Sequence, residues 1–326
     1  MSDTVQLLGI SNAIVDILAH VDNHFLERIG APIGSMTLID ESRAHEIYDM
    51  MGPATEMSGG SVANTVAGFA LLGGDAAYIG RVKADQLGEI FAHDMRSLGV
   101  DVRLAPVASG SPTARCHVLI SDDGQRTMQT YLGACTELAE SDVNEETVGT
   151  PKVILLEGYI WDLPEGPALT AKAIRIAKEN GLTVAISLSD SFCVERHQAA
   201  FMGVVKDGVD IVFADEDEMA ALFQVNDFDD VLVKIASFDN LFVMTRSAQG
   251  SVIVHNDQTL TQPATHVEKV VDSTGAGDAY SAGFLYGWTH DKSLSECAKL
   301  GTYCATSVIQ QVGARIEKDL LAKYGA

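Results

Sequence analysis

The chain has 326 residues, 47% hydrophobic and 21% charged, and its 22 basic against 45 acidic residues give a net charge of −23. That composition belongs to a soluble globular protein with a large core, and the length suits one large domain or a large domain with a small one. The acidity excludes a nucleic-acid or anionic-membrane surface as partner, and no apolar run approaches the roughly 20 residues of a spanning helix.

In chain order, MSDTVQLLGIS lacks the basic region and long apolar core of a signal peptide. AIVDILAHVD (13–22) alternates apolar and polar residues, the pattern of a half-buried antiparallel strand. SVANTVAGFALLG (61–73) has helical spacing, AAYIGRV (76–82) reads as a strand and 86–98 as a helix. TARCHVLISDDGQRTMQTYL (113–132) alternates again, with DDG as a hairpin turn signal. The alternating stretches suit a small sheet over one end of the large unit, used as a lid or as an oligomer interface. From about residue 150 a rhythm sets in: strand KVILLEG, helix 165–180, strand LTVAIS, helix 194–205, strand VDIVFA, helix 216–223, strand LFVMT. Strands alternating with amphipathic helices indicate a parallel sheet covered on both faces. The five cysteines, Cys116, Cys135, Cys193, Cys297 and Cys304, are scattered and form no CxxC. They point to reduced thiols in a cytoplasmic setting, with neither a disulfide framework nor a zinc site.

DSTGAGD (272–278) lies between an apolar run and a helix expected over 279–289. Gly275, Ala276 and Gly277 would aim backbone N–H groups at one point at a helix N-terminus, where free donors and the helix dipole stabilise an anion. The loop lacks the GK[ST] of a Walker A motif and is not GxGxxG. An acid inside such a site would bind phosphate poorly. It would serve well as a base beside a hydroxyl attacking a phosphoryl group. That reading makes Asp278 the base and Gly275 to Gly277 the anion hole. The alternative is a tight turn with Asp278 as a first-turn helix residue.

DSTGAGDAYSAGF resembles the C-terminal signature of the PfkB (ribokinase-like) family of carbohydrate and nucleoside kinases. GGSVANTVAGFALLG with YIGRVKADQLGEIF is similar to the family's N-terminal signature, and the resemblance runs in order from Gly9 to about Gly313. It implies a ribokinase-like three-layer α/β/α sandwich with a mainly parallel central sheet. The whole chain, 1–326, would be a single kinase domain with a small β lid from about 13–50 and 107–134. ATP would be the donor and Mg²⁺ the cofactor, with Asp278 as the base and Gly275, Ala276 and Gly277 stabilising the phosphoryl oxygens.

Where the family usually carries NxxE, linked to the metal through water, this chain reads Asp215-x-x-Glu218. A carboxylate is the better ligand for a hard cation, so Asp215 and Glu218 are the expected metal residues. An acidic helix N-terminus would read the same way. VMTRSAQGSVIV resembles the ATP-lining segment: Thr245 and Gly250 match, and Ser247 stands where glycine is common. Thr274 belongs to the same implied nucleotide site, and Arg246 suits either the phosphates or solvent. Some relatives use a monovalent cation such as K⁺ near the strand before the anion hole, where Asp272 would be the position concerned.

Polyol recognition asks for carboxylate and amide side chains that bind adjacent hydroxyls. Asn12, Asp16, Gly60 and Asn64 match positions that contact sugar or ribose hydroxyls in the family. Taken alone, Asn64 reads as a polar helix residue and Asp16 as a strand residue facing water. The Asn-x-x-x-Asp spacing in GISNAIVDILAHVD, with RTMQTYLGACTEL and GTYCATSVIQQVGAR, resembles the adenosine kinase branch. A nucleoside base needs a flat apolar slot, for which Tyr159, Trp161 and Phe192 are candidates, each also at home in a core. Arg126, after the hairpin turn, would touch substrate or phosphate on closure, or else face solvent.

The implied activity is transfer of the ATP γ-phosphoryl group to the 5′-hydroxyl of adenosine or a related nucleoside. Its partners would be these small molecules, without nucleic acid or membrane, and the protein would be a monomer or homodimer. The alternatives are a kinase for ribose, fructose or 2-keto-3-deoxygluconate, with Arg115 and Arg126 as the only evident lid arginines for an acid substrate, and a catalytically silent nucleoside sensor. The intact base and glycines argue against the sensor.

Overall fold

The computed structural model describes residues 5–121, 124–256 and 258–324. Within them the first strands are β1 (Leu7–Ile10), β2 (Ile14–His20), β3 (Met36–Leu38), β4 (Thr55–Gly59), β5 (Ala76–Ile79), β6 (Asp101–Val102) and β7 (Ala114–Ile120). They are followed by β8 (Arg126–Tyr131), β9 (Val153–Glu157), β10 (Thr183–Ser187), β11 (Ile211–Asp215), β12 (Leu241–Thr245), β13 (Ser251–His255) and β14 (Gln258–Gln262). Nine of these form one sheet in the order β14-β13-β12-β11-β10-β9-β1-β5-β6. It is parallel from β12 to β6 and antiparallel at β13 and β14.

Successive side chains on a strand point to opposite faces, and here both faces are covered. Leu8, Ile10, Leu156 and Ile186 share a core with the helices Gly166–Asn180, Ser191–Asp207 and Glu216–Phe223. Leu7, Tyr78, Leu155 and Phe213 share another with Ser61–Leu71, Gln86–Ser97 and Ala276–Thr289. The apolar runs KVILLEG, LTVAIS, VDIVFA and LFVMT therefore became parallel strands, as continuous apolarity predicts for strands buried on both sides. The fold is the expected three-layer α/β/α sandwich.

The second sheet, β3-β8-β7-β2-β4, corrects two expectations. β7 and β8 form the predicted antiparallel hairpin, but β2 pairs with β7 in parallel, and β3 with β8 likewise. β7 is also buried along its whole length instead of alternating. It is the middle strand, with Leu119 packed near Ile47 of the helix Glu41–Met50 on one face and Cys116, Val118 and Ile120 clustered with Ile14, Leu18 and Met128 on the other. β4 falls outside the 13–50 stretch, because Thr55–Gly59 carries no apolar run to announce it. Asp122 and Asp123 of the DDG signal lie outside the described residues.

Candidate active site

The C-terminal signature turns where expected, but its helix starts at Ala276 instead of 279, so Asp278 sits in the first turn. The turn reading and the base reading of Asp278 are therefore compatible. Gly275 caps the helix at φ +73°, and a Cβ there would stand 2.5 Å from the Ala314 Cβ, which only glycine avoids. Nothing lies within 4 Å of where a Gly277 Cβ would be. The Ala276 N–H is engaged by Ser273 O at 3.2 Å, whereas the Gly277 N–H, in the first turn, has no carbonyl within its own helix to meet.

This N-terminus opens on a cleft of about 690 Å³. Ala276, Gly277 and Asp278 stand on its wall with Asp215 and Glu218, facing Thr245, Ser247 and Gly250. Thr274 and Gly275 belong to the turn behind that wall, where the Thr274 N–H donates to Asp272 Oδ1 at 2.9 Å. Ser247 has a left-handed backbone at φ +48°, which gives a physical reason for glycine being common at that place. Arg246 turns elsewhere: its Nε donates to Glu216 Oε2 at 2.8 Å and its guanidinium lies over the Phe228 ring at 3.9 Å.

Asp278 lies between the cleft and the residues expected to hold the acceptor. Its Oδ1 accepts from Ser61 Oγ at 2.7 Å and its Oδ2 from Asn64 Nδ2 at 3.1 Å. Burial pushes its carboxyl up to about 6, against those two hydrogen bonds and the Arg315 charge. Asp16 also reaches about 6, raised by burial, held down by Arg315 and Arg126, and pushed up further by Asp278. A Cβ on Gly59 would overlap the Asp16 carboxylate, and one on Gly60, at φ +97°, would come 2.5 Å from Asn12 O. The paired glycines thus let the β4 end and the start of the helix Ser61–Leu71 pass under both polar residues. Asn12 is buried, with its side-chain oxygen left without a hydrogen-bond partner.

Asp215 and Glu218 form a reciprocal capping box at the start of Glu216–Phe223. The Glu218 N–H donates to Asp215 Oδ1 at 2.8 Å and the Asp215 N–H to Glu218 Oε2 at 3.0 Å. Burial, then Asp215, push Glu218 up to about 8, and burial raises Asp215 as well. A cation would relieve both. Among the described residues no cluster of three or more His, Cys, Asp or Glu stands ready to hold a metal. The pair therefore suits an ion that takes its remaining oxygens from water and phosphate, as Mg²⁺ does.

Two groups important to the geometry, Glu157 and Arg315, escaped the sequence reading, and Asp272, expected near a monovalent cation, has a partner that reading did not foresee. Glu157, at the end of β9, is buried and accepts from Val62 N at 3.0 Å and Asn12 N at 3.4 Å, and burial lifts it to about 7. A charge closing the apolar run KVILLEG was the signal. Asp272 pairs with Arg126 and accepts from Gly313 N at 2.8 Å, so the hairpin arginine meets the anion-hole turn. Arg315 donates to Asn64 Oδ1 and to Ser58 O and Oγ. The three aromatic candidates do not line the cleft. Trp161 is packed against Phe201 in the core, Tyr159 is mostly buried beside it, and Phe192 is exposed. Arg115 lies on the other face of β7, where it meets His45 at 3.2 Å.

A model of the pfkB family carbohydrate kinases matches residues 33–319. The chain belongs to the PfkB family. As a PfkB protein it is a phosphotransferase with an alcohol group as acceptor. It is similar to the adenosine kinase from Sinorhizobium meliloti, at 47% identity and a TM-score of 0.92 over 99% of this chain and 100% of that one. A probable sugar kinase from Rhizobium etli is 44% identical, with a TM-score of 0.91 over 98% and 97%. Adenosine kinase 2 of Arabidopsis thaliana is 27% identical over 94% of each chain. No helix among the described residues is long and apolar enough to cross a membrane.

Proposed function

We propose that this protein is an ATP-dependent nucleoside kinase that phosphorylates the 5′-hydroxyl of adenosine or a related nucleoside. The observation that carries the reading is the Asp278 carboxylate, held by Ser61 and Asn64 in the first turn of a helix that opens on the cleft. The likeness to the Sinorhizobium meliloti adenosine kinase supports a nucleoside as acceptor.

In this reading the nucleotide occupies the cleft between Thr245, Ser247 and Gly250 and the helix N-terminus, with Thr274 shaping the turn. Asn12, Asp16, Gly60 and Asn64 orient the acceptor on the far side of Asp278. Asp278 takes the proton of the attacking hydroxyl, and a pKa near 6 leaves it ionised at neutral pH. The N–H groups of Gly275–Ala276–Gly277, with Gly277 the most open, hold the charge on the transferred oxygens. Glu218 and Asp215 would hold Mg²⁺, which supplies neutralisation and alignment of the phosphates when bound. The small sheet acts as the lid of a single domain and excludes water, in keeping with Arg126 reaching Asp272. Five buried free cysteines support a cytoplasmic setting.

The test is ADP release with Mg-ATP against adenosine, other nucleosides, ribose, fructose and 2-keto-3-deoxygluconate. Turnover confined to nucleosides is the expected result, and none on any nucleoside would overturn it. A free-sugar acceptor is the second reading. It is favoured by the likeness to the probable sugar kinase from Rhizobium etli, and turnover on a sugar alone would select it.

A further inference from the structure

The segment 313–315 touches a different part of the site with each residue. The Gly313 N–H donates to Asp272 Oδ2 at 2.8 Å, Ala314 packs against the place where Gly275 lacks a side chain, and Arg315 crosses to Asn64. One arm of the Arg315 guanidinium donates to Asn64 Oδ1, and the other to Ser58 O and, at 2.6 Å, to Ser58 Oγ. Ser58 lies on β4 of the small sheet and donates through its own N–H to Asp94 Oδ2 at 2.9 Å.

An asparagine amide is free to turn over, exchanging its donor for its acceptor. A guanidinium offers only donors, so Arg315 fixes oxygen on its own side of Asn64 and leaves the NH₂ for Asp278. The same cation lies among the acids of the site and acts on both Asp16 and Asp278. We propose that Arg315 is a positioning residue for the base, locking the Asn64 amide toward Asp278 and supplying the positive charge shared by Asp278 and Asp16. The inference rests on the proposed kinase reading and extends it to a residue more than two hundred positions from Asn64 in the chain.

Asp278 acts on Asp16 from β2, Glu157 from β9 and Glu218 from the helix Glu216–Phe223; Arg315 acts on Asp278 and Asp16, Arg126 from β8 acts on Asp16, and Asp94 of the helix Gln86–Ser97 faces Arg315 itself. Apart from Arg126, Arg315 is the cation in that set. Removing it leaves Asp278 facing like charges, which favours the protonated form of the base.

The experiment compares Arg315→Gln and Arg315→Lys with wild type in acceptor KM, kcat and the pH dependence of kcat/KM, with melting temperature as a check on folding. Arg315→Gln should move the acid limb of kcat/KM upward by about one pH unit. Arg315→Lys keeps the charge but loses the two-armed grip, so its acid limb should stay near wild type while acceptor KM rises. An acid limb unmoved in folded Arg315→Gln would overturn the proposal, leaving Arg315 a structural tether. If Arg315→Gln does not fold, Arg315→Lys decides alone, and an unchanged acceptor KM overturns the role. Failure of the kinase reading itself is distinguishable, because wild type would then show no turnover on any nucleoside.

Discussion

Two sets of carboxylates, Asp278 with Asp16 and Asp215 with Glu218, meet around the cleft wall, and the protein treats them differently. Asp278 and Asp16 are half-buried and both raised by desolvation, Asp16 further by Asp278, yet Arg315 acts on both and Arg126 on Asp16. Asp215 and Glu218 have no such relief. Burial, Asp215, Asp190 and Asp278 all push Glu218 up, and the backbone N–H of the capping box alone opposes them. On the proposed roles the difference has a purpose. A base must stay ionised between turnovers and so has its own cation, whereas a pair that takes a metal from solution has none, and Glu218, pushed up to about 8, holds a proton until the metal displaces it.

The largest expected effect comes from removing the base. Asp278→Asn should lower kcat by about 10²–10⁴-fold without lowering the melting temperature near pH 7.5, because the replaced charge is one that desolvation disfavours. Activity within a few fold of wild type would erase the contrast between the two sets. Next comes the metal side. Glu218→Gln should raise the Mg²⁺ concentration needed for half-maximal rate by about 10–100-fold, with most of kcat recovered at saturation; a Mg²⁺ titration that superimposes on wild type would count against the pair. EDTA should abolish turnover, and excess Mg²⁺ should restore it.

Gly59→Ala sharpens the acceptor side. Its methyl would overlap the Asp16 carboxylate, so acceptor KM should rise roughly tenfold while ATP KM stays near wild type. The smallest effect is on stability. Asp278 and Asp16 titrate near 6 in the folded state, Glu157 near 7 and Glu218 near 8, all above ordinary carboxyl values. Groups raised in this way add stability that is present at low pH and lost as pH rises through the folded value. The melting temperature should therefore rise by a few degrees as pH falls from 8 to 5, and Asp278→Asn should flatten the part of that slope below about pH 6. A melting temperature that falls over this range would contradict the assigned burial of these acids.

Much of the large sheet could be read from the chain because its strands are short, apolar throughout and separated by helices of ordinary length. The helix 216–223 matches residue for residue, and LFVMT is β12. The small sheet was less legible. Its parallel pairings join strands far apart in sequence, and no local pattern distinguishes them from a meander. The candidate site divides along the same line. Asp278, Gly277, Glu218 and Ser247 lie within short motifs whose chemistry is local. Asn64 to Asp278 and Arg315 to Asn64 are contacts across more than two hundred residues, and a lone arginine after QQVGA carries no signal of where it will reach.

The most direct test of the central claim is ³¹P NMR of the reaction of wild-type protein with Mg-ATP and adenosine, run beside Asp278→Asn. A nucleoside 5′-monophosphate resonance growing in step with ADP, and absent in the variant, is the predicted result. ADP formed with inorganic phosphate as the sole phosphorus product, or monophosphate formed equally well by the variant, would contradict the account.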